Sequence, residues 1–153
     1  MRHIIAFICC FVIAAFMLFG FNNPASVIKA YSSVVEVIGK SQLTSNFMLI
    51  GERYDSKDDY TGGYRCSAEN KTGRDIVYGG CTVKSINIRV KGQIDKTDGS
   101  VKVYTRIGKD VEEIIPDENG CFDENLTFDG GDSYVFVQYE RFSGSIDFKT
   151  EYI

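Results

Sequence analysis

The sequence predicts an all-β protein: an antiparallel β-sandwich, jelly-roll-like or Ig-like, that follows an N-terminal signal peptide helix. From about Lys84 onward, apolar and polar residues alternate with the period of two that is typical of half-buried strands. Short segments rich in Gly, Asp and Asn separate these runs and have the composition of turns. No segment of comparable length shows a helical period. Strands joined in this way are typical of sandwiches and barrels, and we expect seven to nine of them.

The first thirty residues have the layout of a secretory signal. Arg2 precedes an uncharged run from Ile4 to Phe21, and Asn22-Asn23-Pro24 interrupts it before the small residue Ala30. We expect cleavage after about Ala30, which predicts a secreted, extracellular protein with no stable membrane anchor. The alternative is an uncleaved anchor, because about 18 apolar residues are just enough to span a bilayer.

Cleavage would leave an acidic chain without histidine. Removing residues 1–30 takes away His3, Arg2 and Lys29, and leaves 15 basic against 21 acidic residues, a net charge of −6. This balance argues against a nucleic-acid partner, since such proteins carry basic patches. Without histidine, a Ser-His-Asp triad, a Cys-His pair and a histidine-ligated zinc site are excluded. We therefore expect neither enzymatic activity nor a cofactor, with a small carboxylate-based hydrolase as one alternative.

The remaining chain divides into two parts. Residues 31–54 are expected to form an N-terminal arm or edge strands, with "SSVVEVIG" and "NFMLIG" as candidate strands. Residues 55–153 are expected to form the sandwich domain. Within it, Ile86, Ile88 and Val90 share one face of a strand, and "DSYVFVQYE" is apolar on both faces, as expected of a central strand.

Three cysteines follow the predicted cleavage point, and disulfides persist in an oxidising compartment. If a regular hairpin closes at "NKTG", Cys66 lies opposite Val77 and about 13 Å from Cys81, unless Gly79-Gly80 turns the backbone. A Cys66–Cys81 disulfide is the favoured pairing. Cys121 would then be free or would link two chains. The alternative is three unpaired thiols.

Tyrosines near an acidic segment are the candidate ligand-binding residues. Tyr54, Tyr60 and Tyr64 flank "DSKDDYTGG", and aromatic rings beside carboxylates are the side chains that sugar sites use. Tyrosine is also a favoured strand residue, which is the alternative explanation. The run Asp117-x-Asn119-Gly120 opens like a calcium loop, but Phe128 stands where the bidentate acid belongs, so no metal site is predicted.

The turns and strands also carry a resemblance. The segments "NKTGRDIVYGGCTV" and "LTFDGGDSYVFVQYERFSGSIDF" resemble a group of small exported bacterial β-sandwich proteins. The chain is also loosely similar to the pre-peptidase-type sandwiches that are appended to secreted hydrolases. The resemblance implies a sandwich fold and assigns no catalytic residue.

A non-enzymatic binding module for extracellular glycan or protein is the function that these features favour. The alternative is a structural, self-assembling cell-surface protein that associates through an exposed strand edge or through Cys121. Under that alternative the protein could form an oligomer.

Overall fold

The protein is described by a computed structural model over residues 24–153, and in that range it contains one helix and four strands. These elements are α1 (Pro24–Lys40), β1 (Glu52–Tyr54), β2 (Gly62–Ile107), β3 (Asp110–Ile114) and β4 (Cys121–Tyr152). Every strand pair is antiparallel, so the predicted all-β, antiparallel class is confirmed. Most of the predicted signal peptide, residues 1–23, lies outside the described residues.

The helix was not expected, and the prediction of a strand at "SSVVEVIG" is wrong. Its β-branched Val34, Val35 and Val37 favour a strand, but the apolar residues in positions 31, 34, 35 and 38 also have helical spacing. Pro24 suits the first helical position, since its missing N–H needs no partner there. Within residues 24–153, no helix is both long and apolar enough to cross a membrane.

All four strands belong to one compact unit, Val35–Ile153. The end of α1 packs closely on β2, because a Cβ on Gly39 would clash with the backbone nitrogen of Cys81. The segment "NFMLIG" is not a strand either: the amide of Met48 donates to the Ser45 carbonyl in a turn, at 2.8 Å.

The architecture depends on the pairing of the two long strands, β2 and β4. From Gly62↔Thr150 to Gln93↔Cys121, β2 runs antiparallel to β4 over nearly the whole length of β4. The second half of β2 then pairs with β4 again, from Ile88↔Tyr152 to Ile107↔Ser133. Residues 133–150 of β4 therefore lie between two stretches of β2. This confirms that "DSYVFVQYE" is a central strand.

Irregularities divide the long strands at matching places. The register shifts near Asn70–Gly73, where Asn70 has a φ of 51°, and Arg141, with a φ of 48°, lies across from this point. The segment "NKTG" is thus a bend within β2, and the predicted local hairpin is wrong. Cys66 lies opposite Ile146 of β4 instead of Val77.

The core lies on one face of these strands. Ile88 and Val90 are fully buried, which confirms the alternation predicted around them. The cluster also includes seven buried aromatic side chains: Tyr64, Tyr78, Phe122, Phe128, Tyr139, Phe142 and Phe148. Tyr134 and Phe136 are buried too but lie outside this cluster, since they alternate with the core residues Val135 and Val137.

Candidate functional site

The predicted ligand-binding tyrosines do not share a surface. Tyr64 is fully buried in the core, and Tyr60 is half-buried with its ring centroid 6.4 Å from that of Phe128. Tyr54 lines a cavity of about 670 Å³ beside the loop that follows β1, and Tyr60 and Tyr64 are not part of its lining. The three residues are close in the chain, but Tyr54 is paired with Gly63, so its side chain lies on the opposite side of the sheet from that of Tyr64. Tyr60 lies in the loop between the two strands.

Tyr54 is already engaged by its neighbours. Its hydroxyl donates to Oδ1 of Asp147 at 2.8 Å, and the cationic groups of Arg65 and Lys149 lie 5.4 and 5.5 Å from its ring centroid. Partial burial and the hydrogen bond to Asp147 raise the pKa of Tyr54 to about 12. The phenol is therefore neutral at physiological pH and serves as a hydrogen-bond donor within the protein.

The acids of the same loop hold the loop itself. Oδ1 of Asp58 accepts the amides of Tyr60 and Thr61, and its Oδ2 accepts the Tyr152 hydroxyl at 2.7 Å. Burial alone would raise the pKa of the Asp58 carboxyl, but these hydrogen bonds lower it below the ordinary value. Asp59 pairs with Lys40 at 3.1 Å. Asp58 therefore acts as a turn cap, and Asp59 as one half of an ion pair.

The calcium-like run also closes a turn, since Oδ1 of Asp117 accepts the amides of Asn119 and Cys121, both at 2.8 Å. Within residues 24–153, no group of three or more His, Cys, Asp or Glu side chains is placed to hold a metal ion.

The predicted Cys66–Cys81 disulfide is not formed: Cys66, Cys81 and Cys121 all carry free thiols in the structure. Cys66 and Cys81 lie on the same strand, opposite Ile146 and Asp132 respectively, so the extended backbone of β2 keeps them apart. Burial raises the pKa of the Cys66 thiol, which favours the protonated form. Cys121 is exposed.

A buried polar network centres on Asp75, which the sequence analysis did not single out. This fully buried carboxylate accepts the amides of Ile50 and Gly51 at 2.9 to 3.0 Å, together with the Tyr64 hydroxyl. The Tyr64 and Tyr139 hydroxyls lie 2.6 Å apart, and burial raises the pKa of both. The sequence does contain a sign of this network, since Asp75 is an acid on the same side of the strand as the apolar Val77. The hydrogen bonds from Ile50 and Gly51 to Asp75 fix the segment before β1 on the sheet. Because the network is buried, water cannot replace these bonds.

A second cavity, of about 390 Å³, lies on the side of the strands that faces away from the core. We call its polar and aromatic lining the arginine–aromatic face; it comprises Arg74, Tyr104, Arg106, Tyr134, Phe136 and Gln138. The register brings them together, since Tyr104 lies opposite Phe136, Arg106 opposite Tyr134 and Arg74 opposite Gln138. These residues belong to three neighbouring stretches of β2 and β4.

On this face, each guanidinium lies over a ring. Arg106 is 4.8 Å from the ring centroid of Tyr134, and Arg74 is 4.9 Å from that of Phe136, both within the range of cation–π attraction. The Tyr104 and Phe136 rings stack with centroids 5.1 Å apart and an 18° angle between planes. The Tyr134 hydroxyl donates to the Gly39 carbonyl at 3.1 Å, which fixes that ring against the end of α1. The face is therefore preorganised.

The arginine–aromatic face can hold a ligand through guanidinium donors, the Gln138 amide and the half-buried Tyr104 ring. This face is hard to recognise from the sequence, because Tyr134 and Phe136 have the pattern of core residues. The sequence feature that could have indicated it is a strand that is apolar on both faces. Segments elsewhere in the chain supply Arg74, Tyr104 and Arg106. No protein-family model matches this chain, and no curated protein matches it significantly.

Proposed function

We propose that this chain is a secreted, non-enzymatic binding module for extracellular glycan, built as a jelly-roll sandwich. The register supports the finer fold. The pairings order five segments as 52–54, 62–68, 144–152, 88–96 and 121–129, and four more as 71–82, 131–143, 98–107 and 110–114. Two sheets with this pattern of long antiparallel pairing are typical of a jelly roll. The resemblance to small exported sandwich proteins is part of the same proposal.

The observation that carries the binding role is the preorganised arginine–aromatic face. Sheet-borne aromatic side chains, combined with a few fixed polar groups, are typical of small-molecule and sugar sites. In the loop after β1, Asp58 caps the turn and Asp59 pairs with Lys40, which favours binding over carboxylate-based hydrolysis. The signal-like N-terminus supports an extracellular setting.

The test is retention on insoluble polysaccharides and on intact cell walls, with elution by free sugar. We expect the protein to be retained on at least one glycan, and Arg74→Gln to weaken retention. Arg89→Gln is the matched control, since it removes the same charge at the surface salt bridge to Asp123. Absence of retention on every glycan, with the chain folded, would refute the glycan-binding role.

Self-association is a second candidate, and the edge strand β3 favours it. Among the described strands, β3 pairs only with β2, and Val111 and Ile115 beside its free edge are 51% and 67% exposed. Exposed apolar edges promote strand-to-strand pairing. Native mass spectrometry distinguishes the two candidates, since multimers that Val111→Lys dissolves would support assembly and a uniform monomer would exclude it.

A further inference from the structure

We infer that the ligand of the arginine–aromatic face is an acidic polysaccharide whose carboxylates are received by Arg74 and Arg106. This inference rests on the proposed glycan-binding function and names its substrate class. It depends on what the face exposes, which charges on it are unpaired, and how far apart they lie.

The face exposes guanidinium groups more than bare rings. Tyr134 and Phe136 are only 2% and 7% exposed, and Arg106 and Arg74 lie over them. A neutral sugar that stacks on a bare aromatic face would have to displace both guanidiniums. The N–H edges of a stacked guanidinium remain free to pair with a carboxylate in the plane of the group, a geometry that arginine forms particularly well.

The charges of these two arginines are also poorly neutralised. Within the described part of the chain, Arg74 forms no salt bridge, and its side-chain hydrogen bond goes to the neutral Gln138 amide at 3.0 Å. Arg106 lies 3.8 Å from Asp132, beyond hydrogen-bond distance, and its Nη2 donates to the neutral Gln42 side chain at 3.1 Å. By contrast, Arg65 and Arg89 each contact a carboxylate at 2.6 Å.

The spacing of the two arginines favours a chain over a single anion. Arg74 is level with Gln138 and Arg106 with Tyr134, four residues apart on the strand between them. That is about 13 Å along the strand and about 10 Å across it, or roughly 16 Å between the two positions. An oligosaccharide of several acidic sugars can reach both. The partly exposed Tyr104 ring between them can contact the C–H face of a sugar.

The overall charge makes this local recognition selective. The chain has a formal net charge of −4, so its long-range field repels polyanions instead of collecting them. Retention of an acidic polymer would therefore have to come from local contacts with Arg74 and Arg106, and not from general attraction.

The experiment compares polygalacturonate with its methyl ester, which has the same backbone without the charge, and uses protein produced from the complete coding sequence. We expect binding to polygalacturonate that weakens with salt, and binding to the ester that is at least tenfold weaker. Arg74→Gln and Arg106→Gln should each reduce affinity for polygalacturonate roughly tenfold, as expected for loss of a charge-assisted hydrogen bond. Arg89→Gln should leave it unchanged, and unaltered melting temperatures should show that all variants are folded.

The outcomes separate the inference from the proposed function. Equal binding of polygalacturonate and its ester would overturn the acidic-ligand inference while glycan binding stands. Equal binding of polyglutamate at matched charge would also overturn it, in favour of an acidic peptide. No binding to any member of the polysaccharide panel would overturn both.

Discussion

The segment from the end of β1 through the following loop and the arginine–aromatic face both combine aromatic and charged side chains, but they differ in how many of the charged groups are paired. At the end of β1 the Tyr54 hydroxyl donates to Asp147, and in the loop that follows Asp58 caps the backbone and Asp59 pairs with Lys40. On the face, Arg74 and Arg106 stack on rings and keep donors without carboxylate partners at hydrogen-bond distance. The pairing of the charged groups favours the face as the binding surface, because its guanidiniums keep donors that no carboxylate among the described residues occupies.

The largest expected effect separates stability from binding. Asp75→Asn leaves an amide facing the amides of Ile50 and Gly51, so it should lower the free energy of unfolding by about 3 kcal/mol, measured by urea denaturation. Asp95→Asn, at an exposed position, is the matched control and should change it by less than about 0.5 kcal/mol. The protein that remains folded should still bind polygalacturonate normally. A stability equal to that of the wild type would mean that Asp75 does not hold the segment before β1.

The next effect compares one tyrosine from each region. Tyr104→Ala removes the ring between the two arginines and the stacking on Phe136, so affinity for the acidic glycan should fall by roughly three- to tenfold. Tyr54→Ala should leave affinity unchanged, since its ring lies between Arg65 and Lys149 on another surface. Isothermal titration of both variants measures this. Equal losses of affinity in the two variants would contradict the assignment of binding to the arginine–aromatic face alone.

A smaller effect depends on pH and concerns the loop alone. The pKa of Asp58 is lower in the folded protein than in the unfolded chain, so its ionised form stabilises the fold. That contribution is complete above the unfolded pKa and is lost as the pH falls through the lower, folded value. Asp58→Asn should therefore melt below the wild type at neutral pH, with a difference that shrinks in acid below about pH 4. A difference that is constant with pH would show that the charge of Asp58 is not involved.

The reactivity of the three thiols gives a chemical check on which cysteines the fold buries. We expect an alkylating reagent to modify the exposed Cys121 first and the buried Cys66 only after unfolding, because access and a raised thiol pKa both slow the reaction. Mass analysis without reducing agent should find three alkylated cysteines in the denatured chain. If Cys66 and Cys81 resisted alkylation until the protein was reduced, the result would show that they form a disulfide.

Local pattern predicted the strands well and their partners poorly. The alternation at Ile88 and Val90 and the central strand around Val135 could be predicted, since a strand's period of two is visible in a few residues. The pairing of Cys66 with Ile146 could not, because it joins distant segments of the chain. In α1, the β-branched valines favoured a strand, and that local preference did not decide the structure.

The site was harder to predict for a related physical reason. Tyr134 and Phe136 are as apolar as core residues, and only the neighbouring Arg106 and Arg74 show that they face away from the core. Those neighbours are brought together by the long-range register. Asp75 is the converse case: an acid in an inward position of a strand indicates a buried polar contact, but the strand alone does not reveal its partners.

The most direct test of the central claim maps the ligand on the protein by nuclear magnetic resonance. An oligogalacturonate would be titrated into isotope-labelled protein, and the shifts of the backbone amides and arginine side chains followed. We expect the changes to concentrate at Arg74, Tyr104, Arg106 and Gln138, and residues 54–61 to stay unchanged. Saturable changes confined to residues 54–61 would contradict it, and would assign binding to the loop instead of the arginine–aromatic face.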